Sequence, residues 1–163
     1  MWEKVGENDV SWISAIAVDA KGRIAIPARF RPLLNEHAKG QLVATIDTQE
    51  PCLLLYPQPA WEEIEAKLTE LPSFNPATRR IQRLLIGHAT ELEMDRSGRI
   101  LVPQLLREHA GLGQSVMLVG QGNKFELWGE SQWYAACDAW VEDEKEQMRG
   151  DGDLPMDLAS LSL

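Results

Sequence analysis

Two short segments of the chain contain the same pattern of an aspartate, a glycine and an arginine. Residues 18–27 read VDAKGRIAIP and residues 94–103 read MDRSGRILVP, so the pattern D-x-x-G-R recurs after 76 residues. An aspartate at the start of a tight turn accepts hydrogen bonds from the backbone two residues on, and a glycine adopts a positive φ without strain. The arginine that follows, Arg23 or Arg99, suits a phosphate or a base edge. The spacing therefore predicts a turn that presents one arginine in each copy.

The aspartate and the arginine of each copy have two possible roles. They could simply pair with each other, and a surface ion pair contributes only about 0–1 kcal/mol. Alternatively, the arginines and the cations near them form a paired positive surface for nucleic acid. The candidate DNA-binding residues are the charged groups in and near the two turns: Asp19, Lys21, Arg23, Arg29, Asp95, Arg96 and Arg99. Two copies of one loop in a single chain would imitate a dimer with twofold symmetry.

A second set of matches follows each turn, at an offset of 72 residues. The matching residues are His37 with His109, Leu55 with Leu127 and Trp61 with Trp133. The first copy therefore has four extra residues between Pro27 and His37. Four residues are about one helical turn. A helix after Pro27 could lengthen there without rotating its buried face.

Each copy has the pattern of strand, turn, strand, helix, two further strands and a closing helix. Alternating apolar residues predict a first strand over residues 12–18 and, in the second copy, over residues 88–94. We expect Gly22 and Gly98 at positive φ in a hairpin with a bulge. The strands that follow are predicted at residues 24–26, 42–46, 53–56, 100–102, 116–119 and 125–128.

The helices that close the two copies carry apolar stripes at helical spacing. These stripes begin at Trp61 and at Trp133 and include Trp140 and Val141, and they predict packing in the core. Between the copies, residues 71–76 read LPSFNP, which predicts a linker that ends in a capping asparagine and a proline at the first helical position.

The charge of the chain is polarised along its length. The net charge is -9, and residues 142–157 alone carry seven acids against two bases. By contrast, residues 19–31 hold four cations and one aspartate, and three arginines lie between residues 79 and 83. An acidic chain is therefore compatible with nucleic-acid binding if the basic segments cluster on one face.

Catalytic and metal-binding patterns are absent from the sequence. Cys52 and Cys137 form no C-x-x-C pair and are expected to be buried, and the three histidines are far apart in sequence, so no metal or cofactor is expected. Residues 120–124, GQGNK, fail the spacing of a phosphate-binding loop. No apolar run approaches 18 residues, which favours a soluble, cytoplasmic protein. The chain is not expected to be an enzyme.

Four motifs together resemble the MraZ family of bacterial transcriptional regulators: the duplicated D-x-x-G-R turn, PCLLLYP at 51–57, RRIQRLLIGHA at 79–89 and KFELW at 124–128. The resemblance runs from about Ser14 to the C terminus. It implies an α+β, β-rich fold in which two AbrB-like repeats form a pseudo-twofold swapped-hairpin β-barrel with peripheral helices. The expected organisation is repeat 1 at 10–71, a linker and connecting helix at 72–87, repeat 2 at 88–149, and an acidic tail at 150–163 that is disordered or docks on a neighbour.

The resemblance also implies a function. Members of this family bind short direct repeats in the promoter of the division and cell-wall gene cluster, which contains their own gene, and usually repress it. The Asp and Arg of the family's DNA-contacting motif correspond to Asp19 with Arg23 and to Asp95 with Arg99. We expect a homo-oligomeric ring that binds double-stranded DNA in the nucleoid, without a cofactor or a membrane. The alternative is a ring-forming structural or protein-interaction module whose nucleic-acid binding is incidental.

Overall fold

The computed structural model describes residues 12–149 of the chain. These residues belong to two compact units, one that ends at Gln132 and one that begins at Trp133. The predicted tail at 150–163 lies outside the described residues.

The described residues form an α+β structure, as the sequence predicts. The first half contains β1 (Ile13–Ala17), β2 (Arg23–Ala25), α1 (Arg31–Ala38), β3 (Gln41–Ile46), β4 (Leu53–Pro57) and α2 (Gln58–Glu70). The connecting helix is α3 (Pro76–Leu85). The second half repeats the order of the first, with β5 (Thr90–Glu93), β6 (Arg99–Leu101), α4 (Gln104–His109), β7 (Ser115–Gly120), β8 (Phe125–Gly129) and α5 (Glu130–Arg149).

The two halves exchange their first strands. The main sheet is mostly hydrophobic and has six antiparallel strands in the order β1-β7-β8-β4-β3-β5. When each strand is replaced by its equivalent in the other half, this order reads the same in reverse. The pseudo-twofold axis therefore passes between β4 and β8, and the first strand of each half completes the sheet of the other.

The second strands of the two halves form a separate two-stranded ribbon. β2 and β6 run antiparallel, with Ile24 opposite Ile100 at the centre of the ladder. Both isoleucines are buried, and a bridge between Val18 and Ile24 joins the ribbon to the end of β1. The strand pairings of residues 12–149 define these two sheets, and closure into a barrel stays a prediction.

One apolar core lies between these sheets and the short helices of the first unit. Its aromatic centre is Phe30, whose ring meets that of Phe125 edge-on at a centroid distance of 5.0 Å and stacks on Trp12. Buried aliphatic residues come from both halves in equal measure, as Ile26 and Val102 illustrate. Because the core is shared, the two halves cannot bury their apolar faces separately.

The helix predictions are confirmed in part. Asn75 caps α3 through its side-chain oxygen, which accepts a hydrogen bond from the Ala77 backbone N–H at 2.9 Å, and Pro76 begins the helix. The four extra residues of the first copy do not simply add a turn of helix. α1 has eight residues and α4 has six, and residues 28–30 form a turn before α1.

The prediction that both tryptophan stripes pack in the core is wrong for the second copy. Trp61 is buried, but the exposed fractions of Trp140 and Val141 are 38% and 53%. Trp133 meets the Trp140 ring edge-on at 5.9 Å, so these residues pack along their own helix. The helical period identifies a shared face, but it does not say what covers that face. Among the described helices, none is both long enough and apolar enough to span a membrane.

Candidate nucleic-acid interface

The turn between β1 and β2 is organised by the carboxylate of Asp19. Its Oδ1 accepts backbone hydrogen bonds from Lys21 at 2.9 Å and from Arg23 at 2.8 Å. Its Oδ2 accepts a third bond from Arg23 Nε at 2.7 Å. Gly22 donates its backbone N–H to the Asp19 carbonyl and has a φ of 84°, in the left-handed region that glycine favours. One carboxylate thus shapes the turn and orients the arginine.

The turn between β5 and β6 repeats this geometry. Asp95 Oδ1 accepts from the backbones of Ser97 and Arg99, both at 2.9 Å, and Oδ2 accepts from Arg99 Nε at 3.0 Å. Gly98 has a φ of 75°. The ion pair that the sequence leaves as a structural alternative is therefore present in both copies.

The ion pair in each turn occupies only one of the three nitrogens of the guanidinium. It engages Nε, so the two terminal Nη groups of Arg23 and Arg99 have no hydrogen-bond partner within residues 12–149. The side chains of both arginines are partly exposed, at 28% and 37%. A guanidinium held through Nε by a carboxylate presents its Nη donors to an outside acceptor in a fixed direction.

The two arginines lie on one face of the ribbon formed by β2 and β6. Arg23 is opposite Leu101 and Arg99 is opposite Ala25, on either side of the central Ile24 and Ile100 pair. Successive residues of a strand face opposite sides, so the buried isoleucines put both arginines on the outward face. Such diagonal neighbours have Cα atoms about 7–8 Å apart. The two turns flank this face at opposite ends of the ribbon.

The other predicted site residues do not all join this face in the same way. Lys21 and Arg96 are exposed within the turns. Arg29 instead lies partly buried, with Nη2 donating to the Ser14 hydroxyl and the guanidinium 4.7 Å from the centre of the Phe30 ring. It fixes the segment after β2 to β1 and the core.

Two arginines outside the predicted site lie next to the turns. Arg31 approaches Gly98 and Arg107 approaches Gly22, each from the opposite repeat. Both arginines follow the repeated proline by four residues, so they match at the same 76-residue offset as the turns. That coincidence could have identified them.

Electrostatics favour the ionised form of both turn aspartates. Backbone hydrogen bonds from Arg23 and Arg99 are the main cause that lowers the pKa of Asp19 and Asp95. The charge of each arginine adds to this effect. The carboxylates are therefore negative at neutral pH. The ribbon with its turns carries two acids and four cations, Lys21, Arg23, Arg96 and Arg99, and Arg31 and Arg107 lie beside the turns.

Other titratable groups meet away from the turns. The rings of His88 and His109, distant in sequence, are 6.2 Å apart between centroids. The ligand atoms of Asp47, Cys52 and Glu126 lie within 4.8 Å of one another. Burial raises the pKa of the Cys52 thiol, with Glu126 and Asp47 raising it further, so the thiol stays protonated and donates to Asp47. Cys137, expected to be buried, is only half-buried.

The fold and the interface together define a class of protein. Two interlocked repeats, each with one arginine-bearing turn, make this chain a single-chain counterpart of a twofold-symmetric dimer. The outward face of the ribbon carries one arginine from each repeat, Arg23 and Arg99.

The family of the chain follows from its similarity to known proteins. The family profile described as "MraZ protein, putative antitoxin-like" matches twice, at residues 14–84 and 85–149. The chain belongs to this family. A protein of Coxiella burnetii (strain RSA 493 / Nine Mile phase I) named "Transcriptional regulator MraZ" is 65% identical over 151 residues, covering 93% of this chain and 97% of that protein. Proteins of the same name from Serratia proteamaculans (strain 568) and Yersinia pestis (strain Pestoides F) are 61% and 60% identical over 119 residues, or 73% of this chain and 78% of each of those proteins.

Replacing Gly22 by valine should destabilise the protein, because a β-branched residue is strained at a φ of 84° and its Cβ would collide with Arg107. We expect a loss of about 1–3 kcal/mol in the free energy of unfolding, measured by urea denaturation. The matched control is Gly113→Val, since no atom lies within 4 Å of a Cβ at Gly113. Equal stability of the two variants would contradict the role of φ in the turn.

The two turn aspartates should make stability depend on pH in the acid range. Their pKa is lower in the folded chain than in the unfolded chain, where it is about 3.9. Their stabilising contribution is therefore complete above the unfolded pKa and is lost as pH falls through the folded pKa. Urea denaturation from about pH 6 down to pH 2 should show a smaller loss of stability for Asp19→Asn with Asp95→Asn than for the wild type. An identical loss in both proteins would exclude this contribution.

Proposed function

We propose that this chain is a sequence-specific, double-stranded DNA-binding regulator of transcription, with Arg23 and Arg99 as its central contacts. The observation that carries the proposal is that two arginines lie on one outward face of a two-stranded ribbon, each held through its Nε by an aspartate. The relatives are named transcriptional regulators, which is not an enzymatic role, and this chain is not an enzyme.

A two-stranded β-ribbon is one of the elements that can read the major groove of DNA. The major groove of B-DNA is about 12 Å wide and admits a two-stranded β-ribbon. Two free Nη donors on one guanidinium suit the O6 and N7 acceptors of guanine, and the carboxylate on Nε prevents rotation of the group. Lys21 and Arg96 are exposed in the turns, and we assign them to the phosphates on either side. The proposed interface also includes Asp19 and Asp95 as the groups that orient the arginines.

The biological role that this interface supports is repression of a promoter with direct repeats. Following the family resemblance, we propose that the target is the chain's own promoter and the division and cell-wall gene cluster behind it, in the nucleoid. Each chain offers few cations, so a single chain should bind DNA weakly. Several chains that engage successive repeats would raise the affinity through effective concentration, by about 10²–10⁴.

A ring of chains needs two different contact faces, and we propose that the first unit carries a basic one and an acidic one. The exposed side of α3 carries Arg79, Arg80 and Arg83. A cavity of about 240 Å³, which Ile86 at the end of α3 also lines, contains Glu62, Glu65 and Glu91 in its lining. No ion pair of the described chain joins these arginines to these glutamates. We propose that α3 of one chain lies against the acidic cavity of the next chain. This head-to-tail contact closes the chains into a ring. We also propose that the two interlocked repeats within each chain form the swapped-hairpin barrel.

Substituting both turn arginines by alanine should abolish specific DNA binding without unfolding the protein. Arg23→Ala with Arg99→Ala removes the Nη donors but leaves the Asp19 and Asp95 bonds to the backbone that shape the turns. We expect a loss of at least about 30-fold in affinity for the upstream DNA, since each of the two bidentate contacts is worth about 1–3 kcal/mol. An electrophoretic shift assay measures it.

Arg149→Ala, which removes one exposed arginine from α5, serves as the control and should bind like the wild type. Normal affinity of a folded Arg23→Ala, Arg99→Ala protein would leave the interaction module as the better hypothesis.

Charge reversal tests the ring. Arg79→Glu with Arg83→Glu, and separately Glu62→Arg with Glu65→Arg, should each dissociate the assembly, because like charges then meet at the contact. An equimolar mixture of the two variants should reassemble, since each reversed face meets a complementary one. Sedimentation velocity measures all three samples. Assemblies of unchanged size in both separate variants would contradict this contact.

A further inference from the structure

The contacts of Arg31 and Arg107 cross from one repeat to the other. A Cβ placed on Gly22 would lie 2.7 Å from both Cζ and Nη1 of Arg107. A Cβ on Gly98 would collide with Nε, Cδ and Cζ of Arg31. Each guanidinium therefore covers the α-carbon of the turn glycine that belongs to the other repeat. The glycines provide room for these arginines as well as the positive φ.

The Arg31 contact is continuous with the backbone of the second turn. Arg31 Nε donates to the carbonyl of Ile26 at 2.7 Å, and the Ile26 N–H donates to the carbonyl of Gly98 at 2.8 Å. The guanidinium, the Ile26 peptide group and the turn glycine thus form one connected unit. Movement of Gly98 would break a backbone bond and displace a charged group.

The Arg107 contact has the same placement but a different hydrogen-bond pattern. Its Nε is buried and has no hydrogen-bond partner within residues 12–149. If Arg107 served only to keep the surface soluble, its guanidinium would lie in water. The buried Nε therefore indicates another role. The Arg107 side chain instead lies against Gly22.

We propose that Arg31 and Arg107 are positioning residues, each of which holds the DNA-contacting turn of the opposite repeat. This inference rests on the proposed function. Arg107 fixes the turn that orients Arg23, and Arg31 fixes the turn that orients Arg99. Each half of the interface is therefore set by a side chain from the other half, and neither turn reaches its binding geometry within an isolated repeat.

A reciprocal set of double-mutant cycles tests the proposal. Affinity for a duplex that carries the chain's own upstream region is measured for Arg31→Ala and Arg107→Ala, alone and combined with Arg23→Ala or Arg99→Ala. Arg107→Ala should weaken binding by about 5- to 30-fold. Arg107→Ala should weaken binding little further when it is combined with Arg23→Ala. Combined with Arg99→Ala, it should weaken binding by its full factor. Arg31→Ala should show the opposite pairing. Equal coupling of either arginine to both turns would indicate a general structural role and overturn the proposal.

A second measurement needs no DNA. Amide hydrogen exchange at Gly22 and Arg23 should be faster in Arg107→Ala and unchanged in Arg31→Ala, and the reverse should hold at Gly98 and Arg99. Arg107→Lys and Arg31→Lys keep the charge but lack the planar guanidinium, so they should restore folding and restore turn protection only in part. Exchange that rises in the same repeat as the substitution, or in neither, would overturn the proposal.

The two measurements separate the inference from the proposed function. If Arg23→Ala and Arg99→Ala leave DNA binding intact, the proposed function fails, and the exchange pattern still decides whether the cross-repeat contacts position the turns.

Discussion

The antiparallel ladder between β2 and β6 is the contact on which the rest of this structure depends. It places Ile24 against Ile100 at the pseudo-twofold axis and buries both. Because side chains alternate along a strand, burial of this pair determines that Arg23 and Arg99 face outward together. The exchange of β1 and β5 between the halves of the main sheet follows the same symmetry. An outward face that carries one arginine from each repeat is therefore a direct consequence of how the repeats are joined.

This arrangement also explains how a chain with a net charge of -9 can offer a basic surface. Seven acids lie between residues 142 and 157, whereas the turns and the helices that follow them concentrate arginines around the ribbon. The aspartates of the turns do not cancel this surface, since each binds the Nε of its arginine and leaves the Nη donors outward.

Local features of this fold could be predicted from the sequence, and long-range ones could not. The D-x-x-G-R spacing predicts the turns and the positive φ of Gly22 and Gly98 because those depend on neighbouring residues alone. Alternation and apolar runs predict the strands, as at β3 and β7. The same patterns do not specify that β1 pairs with β7, since alternation determines a face and not a partner. The exposed Trp140 shows the corresponding limit for helices. Arg29 was selected for its charge, but its contacts with Ser14 and Phe30 arise from tertiary packing.

In the proposed function, the two turns of each chain contact phosphates and bases, and several chains act together on repeated sites. This can be measured by fluorescence anisotropy with duplexes that carry one, two, three or four copies of the upstream repeat, from about 50 to about 200 mM salt. We expect log K to fall linearly with log salt, by about 0.9 per phosphate contact, with a slope that steepens as repeats are added. An affinity that depends on neither salt nor the number of repeats would contradict it.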